Sequence, residues 1–151
     1  MKQKYTTENL HPIRHMDEYV DEIEAGSVSP YRTNVLMKRF AEVKKLSYEM
    51  YKDCHNLIIE IDGEIPSNPE LLWKHDLESV RLFSKAENHS YGDYSDDKLH
   101  AIRHFEEYVE EIETGNVSNE RSVELKDRLG TVLRTSVRLY YDAERLIRLL
   151  D

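Results

Sequence analysis

The chain has 151 residues and a mass of 17.9 kDa, a one-domain length. Thirty acidic against 21 basic residues give a formal charge of −9 and a pI near 5.3, which argues against direct contact with nucleic acid, because phosphate needs a basic surface. One cysteine, Cys54, excludes a disulfide framework and every Cys-x-x-Cys motif.

The elements in chain order begin with a short helix. Leu10, Ile13, Met16, Val20 and Ile23 recur at three and four residues, one stripe of a helix. Pro12 should delay its start to about residue 10, and Gly26 suits the left-handed position that ends it. Ser29 then offers an N-cap oxygen, with Pro30 at the first helical position. Val35, Leu36, Phe40, Val43, Leu46, Met50, Cys54, Leu57, Ile58 and Ile61 continue as a long helix of about 30 residues, about 45 Å. The stretch 63–69 is a turn-rich break, and Asn68-Pro69 is a cap-plus-proline start. Leu71, Leu72, Leu77, Val80, Leu82 and Phe83 predict a middle helix from about 69 to 87, ending before Asn88.

The remainder of the chain is a second copy of its first part. Residues 94–151 align with 5–62 at an offset of 89 without a gap, and 25 of the 58 pairs are identical. The second copy should start near Ser95, stop at Gly115, cap at Ser118 and carry Leu125, Leu129, Val132, Val137, Tyr140, Ala143, Leu146, Ile147 and Leu150 along its long helix. Gly130 costs that helix about 1 kcal/mol relative to alanine, and suggests a close helix crossing. The expectation is a single all-α domain, 1–151: repeat one 5–62, connector helix 63–93 and repeat two 94–151. Five helices are expected, as two short–long hairpins and a middle helix. A hairpin cannot cover its own stripe, so the copies should pair about a pseudo-twofold axis, or the stripes should pair with a second chain in a homodimer.

Three constellations are candidates for function. His11, His15, Glu18 and Glu22, matched by His100, His104, Glu107 and Glu111, fall on one helix face at offsets 0, 4, 7 and 11. Imidazole and carboxylate at that spacing can chelate a transition metal. The face lies about 150° from the apolar stripe, however, whereas a bundle-core metal needs inward ligands. A solvated face of local pairs is the simpler reading, and no metal or other cofactor is expected. The second constellation is acid density: Asp17, Glu18, Asp21, Glu22 and Glu24, repeated as Glu106, Glu107, Glu110, Glu111 and Glu113. Such rows could imitate a phosphate track and occupy a basic groove on another protein. Alternatively, the long helices balance them, with Arg32, Lys38, Arg39, Lys44 and Lys45 in the first copy and Arg121, Lys126, Arg128, Arg134, Arg138, Arg145 and Arg148 in the second. The third is the tyrosines, ten in all, with Tyr19 and Tyr108 beside the acids. An aromatic ring with a polar tip suits an interface or the rim of a core. Cys54 reads as a core residue. Glycine-rich phosphate loops and the nucleophile elbow are both absent from the sequence, so no enzyme is expected.

The pattern Tyr19-Val20-x-Glu22-Ile23-Glu24-x-Gly26-x-Val28, a long helix, then Asp76-x-Glu78-Ser79-Val80-Arg81-x-Phe83 resembles the N-terminal helical region of phage terminase large subunits. The resemblance covers about residues 10 to 92, and the short-helix element recurs at 108 to 117. The ATPase and nuclease segments of that family have no counterpart in this sequence. The resemblance implies phage or prophage ancestry and not DNA packaging.

Together these readings give three expectations. The first is a non-enzymatic, acidic protein-binding module, a counter-defence inhibitor of the kind that blocks a CRISPR or restriction effector. It would contact a basic surface through Asp17, Glu18, Tyr19, Asp21, Glu22, Glu106, Glu107, Tyr108, Glu110 and Glu111. The second is a terminase-derived assembly or adaptor domain held by apolar stripes. The third is a metal-binding helical bundle using His11, His15, His100 and His104. No apolar run reaches the roughly 18 residues of a membrane span, and the start carries no signal-like segment. The expected place is the cytoplasm of a bacterial host.

Overall fold

A computed structural model describes residues 3–26, 28–63, 68–86 and 91–151. Among them there is no strand, and the chain is all-α. The helices are α1 (His11–Arg14), α2 (Met16–Glu24), α3 (Pro30–Asp62), α4 (Pro69–Ala86), α5 (His100–Arg103), α6 (Phe105–Thr114) and α7 (Asn119–Leu150). Among the described residues seven helices stand where five were expected, because each short helix is broken once, at His15 and at His104.

The break is the same in both copies. His15 has φ −106° and ψ 12°, and His104 has φ −104° and ψ 9°. The bend lets Leu10 and Ile13 before it, and Met16 and Val20 after it, all reach the interior. Three-and-four periodicity is preserved across such a bend, so the sequence pattern does not show it. The second copy also begins later than Ser95 suggests: a turn occupies 96–99 and helix starts at His100.

The long helices begin as their caps dictate. Ser29 Oγ accepts from the Arg32 amide and Ser118 Oγ from the Arg121 amide, each at 3.1 Å. Glycine ends α3 and α6 in the left-handed region, at Gly63 (φ +69°) and Gly115 (φ +78°). Asn68 Oδ1 accepts from the Glu70 amide at 3.0 Å, which starts α4 as its sequence implies. The expected break at 64–67 and the stretch 87–90 lie outside the described residues.

Helices α3 and α7 pack together along their stripes and form the spine of the molecule. Leu36, Phe40, Val43, Met50 and Cys54 meet Leu125, Leu129, Val132, Leu139, Ala143 and Leu146 in one core, which the short helices close with Ile13, Met16, Ile102 and Phe105. The stripes are thus covered within one chain. Cys54 is fully buried, donates from Sγ to the Leu129 carbonyl, and burial pushes its thiol pKa up, as expected of a core residue. Gly130 does not mark a crossing. A Cβ added there would meet only the tip of the Arg134 side chain, at 3.4 Å.

Helix α4 lies against both long helices through a second apolar cluster. The Trp73 ring stands edge-on to Tyr48, Tyr51 and Tyr140, with centroids 5.0, 5.0 and 4.9 Å away. Tyr51 donates to Asp76 at 2.5 Å, and Arg81 grips Glu144 with two bonds of 3.0 and 2.9 Å. The apolar residues of α4 do not all face inward as one stripe: Leu71, Leu82 and Phe83 are at least 60% exposed.

Candidate functional site

The acidic short helices are the surface the sequence singles out, and the structure separates the acids held by the fold from those left exposed. The segment before each short helix crosses to the other repeat. The Tyr5 amide donates to Glu106 Oε1 at 3.2 Å, and the Tyr94 amide donates to Asp17 Oδ1 at 3.0 Å. Tyr94 is the counterpart of Tyr5, and Glu106 of Asp17, so the two contacts are reciprocal. Each tyrosine hydroxyl then returns to its own long helix, Tyr5 to Asp53 and Tyr94 to Asp142, both at 2.5 Å. The Tyr5 ring stacks edge-on to Phe105 at 4.8 Å. Burial, then the carboxylate beside each hydroxyl, raises both phenol pKa values and keeps them protonated donors.

Two further acids are held by the long helix next in the chain. Arg32 takes both oxygens of Glu22 at 2.7 and 3.0 Å, and Arg121 takes both oxygens of Glu111 at the same distances. These paired forks lower both carboxyl pKa values. Glu110 accepts from Gln3 at 2.6 Å. Balancing by the long-helix arginines, the blander of the two readings of acid density, is therefore realised at Glu22 and Glu111. Tyr19 and Tyr108 are not offered to a partner: their rings are buried, with Tyr19 edge-on to Phe40 and the Tyr108 hydroxyl accepting from Arg128. This corrects their place in the contact surface. An i+3 neighbour of Met16 or Phe105 lies on the inward face of its helix.

The acids left outward form a row at three-residue spacing in each copy: Glu18, Asp21 and Glu24, then Glu107, Glu110 and Glu113. The Glu18 and Glu107 side chains are 73% and 72% exposed, and each touches a histidine Nδ1, that of His15 at 3.0 Å and that of His104 at 3.1 Å. The His11 and His15 rings lie 4.3 Å apart, and those of His100 and His104 4.6 Å apart. Burial, then the neighbouring His15, Arg39 and Arg14, lowers the His11 pKa. Among the described residues no group of three or more His, Cys, Asp or Glu side chains is placed to hold a metal ion.

Sequence reasoning missed the buried carboxylate of Asp142. It has no solvent exposure, yet it accepts from Tyr94, from the Gly92 amide at 2.9 Å, from Arg138 at 3.3 Å and from Arg145 at 2.7 Å. Gly92 is required there, since a Cβ would lie 2.8 Å from the Tyr94 hydroxyl oxygen. Arg145 in turn lies over the Tyr91 and Tyr141 rings at 4.4 and 4.6 Å. The signal was present: Asp53 and Asp142 are an identical pair beside the apolar stripes of the two long helices.

Compared with protein-family models, curated proteins and solved structures, the chain matches none. Among the described residues no helix is long and apolar enough to cross a membrane.

Proposed function

We propose that this chain is a non-catalytic, acidic helical module of phage or prophage origin that acts by stoichiometric contact with another protein. The contact is made by the exposed rows Glu18–Asp21–Glu24 and Glu107–Glu110–Glu113. The target carries a basic surface of the kind that holds nucleic acid, as in a CRISPR or restriction effector, and the module occupies it in a bacterial cytoplasm. The observation that carries this reading is selective use of acids: the fold ties Asp17, Glu22, Glu106 and Glu111 to amides and arginines and leaves the two rows exposed to solvent, with Glu110 also accepting from the Gln3 side chain. Like charges kept at three-residue spacing on a helix cost stability, and a complementary partner offsets that cost. The resemblance to the terminase helical region supports the phage origin.

The test is a pull-down from bacterial lysate at about 50 mM and about 500 mM salt, conditions that differ severalfold in screening length. A partner captured at low salt and lost at high salt is expected, with capture also lost when Glu18, Asp21 and Glu107 are changed together to lysine. Capture indifferent to both changes overturns the reading. Salt-indifferent capture that is abolished by Leu82→Ser and Phe83→Ser favours the assembly-domain reading, for which the exposed apolar residues of α4 are the supporting observation.

A further inference from the structure

The matched aspartates of the two repeats, Asp53 and Asp142, are partnered differently. In repeat two, the Asp142 carboxylate uses Oδ2 for Tyr94, the Gly92 amide and Arg138, and Oδ1 for Arg145. In repeat one, Asp53 uses Oδ2 for Tyr5 and Lys4, and among the described contacts its Oδ1 receives no donor. Asn56 stands at the position of Arg145 and is exposed. It lies on the wall of a cavity of about 340 Å³, which is within the range of small-ligand sites. The cavity sits at the junction of the repeats, between the arm of residues 3–5, the C-terminal half of α3 and helix α6.

Among the described residues the lining carries Asp53, Glu60, Glu106, Glu110 and Glu113 against one base, Lys4, together with the apolar Leu57 and Val109. We propose that this cavity binds the guanidinium of an arginine side chain presented by a partner protein, in the place that Arg145 fills in the second repeat. The fold itself shows the fit. In repeat two the residue three positions after the matched aspartate supplies a guanidinium to that carboxylate, Arg145 to Asp142 Oδ1 at 2.7 Å. An arginine stem would lie on Leu57 and Val109, and its fork would reach Asp53 Oδ1, with the glutamates at the rim. The aromatic faces that flank Arg145 are not repeated: Lys52 stands at the position of Tyr141, and its ammonium lies 4.4 Å from the Tyr48 centroid. Recognition in repeat one therefore rests on charge and on the carboxylate fork. This inference rests on the acidic-module reading for the partner, but not for the pocket.

The test is an NMR titration of the isotope-labelled full chain with N-acetyl-arginine amide, against the corresponding glutamine and lysine amides. Saturable shifts confined to the amides of 53–60 and 106–113 are expected, with the arginine amide binding at least threefold tighter than lysine and the glutamine amide not binding. Asn56→Arg should supply the guanidinium internally and weaken binding at least tenfold, while Asn56→Ala leaves it within twofold. If Asn56→Arg does not fold, Glu60→Gln with Glu113→Gln must weaken binding at least threefold. Lys2 is the counterpart of Tyr91, and Lys2→Ala should leave affinity within threefold; a tenfold gain would mean that the chain's own lysine occupies the site and would overturn the proposal. Shifts without saturation, or Asn56→Arg binding as the parent does, also overturn it. A failed titration beside a salt-sensitive partner removes the pocket and keeps the acidic-module reading; a successful titration without such a partner does the reverse.

Discussion

The two tyrosine hooks are chemically the same and differ in burial, so each serves as a control for the other. Tyr94→Phe removes one of four donors from a carboxylate with no access to water. A hydrogen bond to a charged group contributes about 1.5–3 kcal/mol when the group cannot rehydrate. For a domain of this size, about 2–4 °C of midpoint accompanies each kcal/mol, so the melting temperature should fall by about 3–12 °C. Tyr5→Phe deletes the same bond to Asp53, whose side chain is 35% exposed and can turn to water. Its cost should be about 0.5–1 kcal/mol, a fall of about 1–4 °C. Thermal melts followed by far-ultraviolet circular dichroism measure both. Equal losses, or a larger loss for Tyr5→Phe, would refute the argument that burial of the acceptor sets the strength of the hook.

Gly130→Ala should stabilise the chain by about 1 kcal/mol, since the position is helical and a methyl meets only a flexible arginine tip; urea unfolding midpoints check it. Ser47 and Ser136 are a matched, fully buried pair whose hydroxyls have no hydrogen-bond partner among the described residues. Changing both to alanine should raise stability by about 1–2 kcal/mol in the same assay, and a loss would mean that a bound water satisfies them. The Glu22 and Glu111 carboxyls have folded pKa values below their unfolded ones, so their contribution is complete above about pH 4.5 and is lost as pH falls through the folded values. Each pair is about a third exposed and contributes at most about 1 kcal/mol. The Glu22→Gln, Glu111→Gln double variant should therefore show a shallower loss of stability between about pH 5 and pH 3 in denaturant melts at fixed pH.

Most of the fold is legible because it is local. Stripes at three- and four-residue spacing, a serine cap and a terminal glycine each act within one turn, and they place α3, α4 and α7 to within a residue or two. The bends at His15 and His104 are not legible, because the buried residues on either side of them keep the spacing of an unbroken helix. The exposure of Leu71, Leu82 and Phe83 is not legible either: α4 is anchored through Trp73 and Leu77, and these three residues stay exposed among the described residues. For the candidate surface, composition identified the acidic rows but not which acids are taken. Asp17 and Glu106 are claimed by amides 77 and 101 residues away along the chain, a pairing no local pattern contains.

That crossed clasp takes Asp17 and Glu106 out of the acidic rows and ties the two repeats together, and the exchange of two backbone amides reports on it most directly. In native-state hydrogen exchange by NMR, the Tyr5 and Tyr94 amides should both be protected, and each should lose protection when the acid it donates to, Glu106 or Asp17, is changed to alanine. Exchange of both amides at the rate of an unstructured peptide in the parent protein would contradict the account.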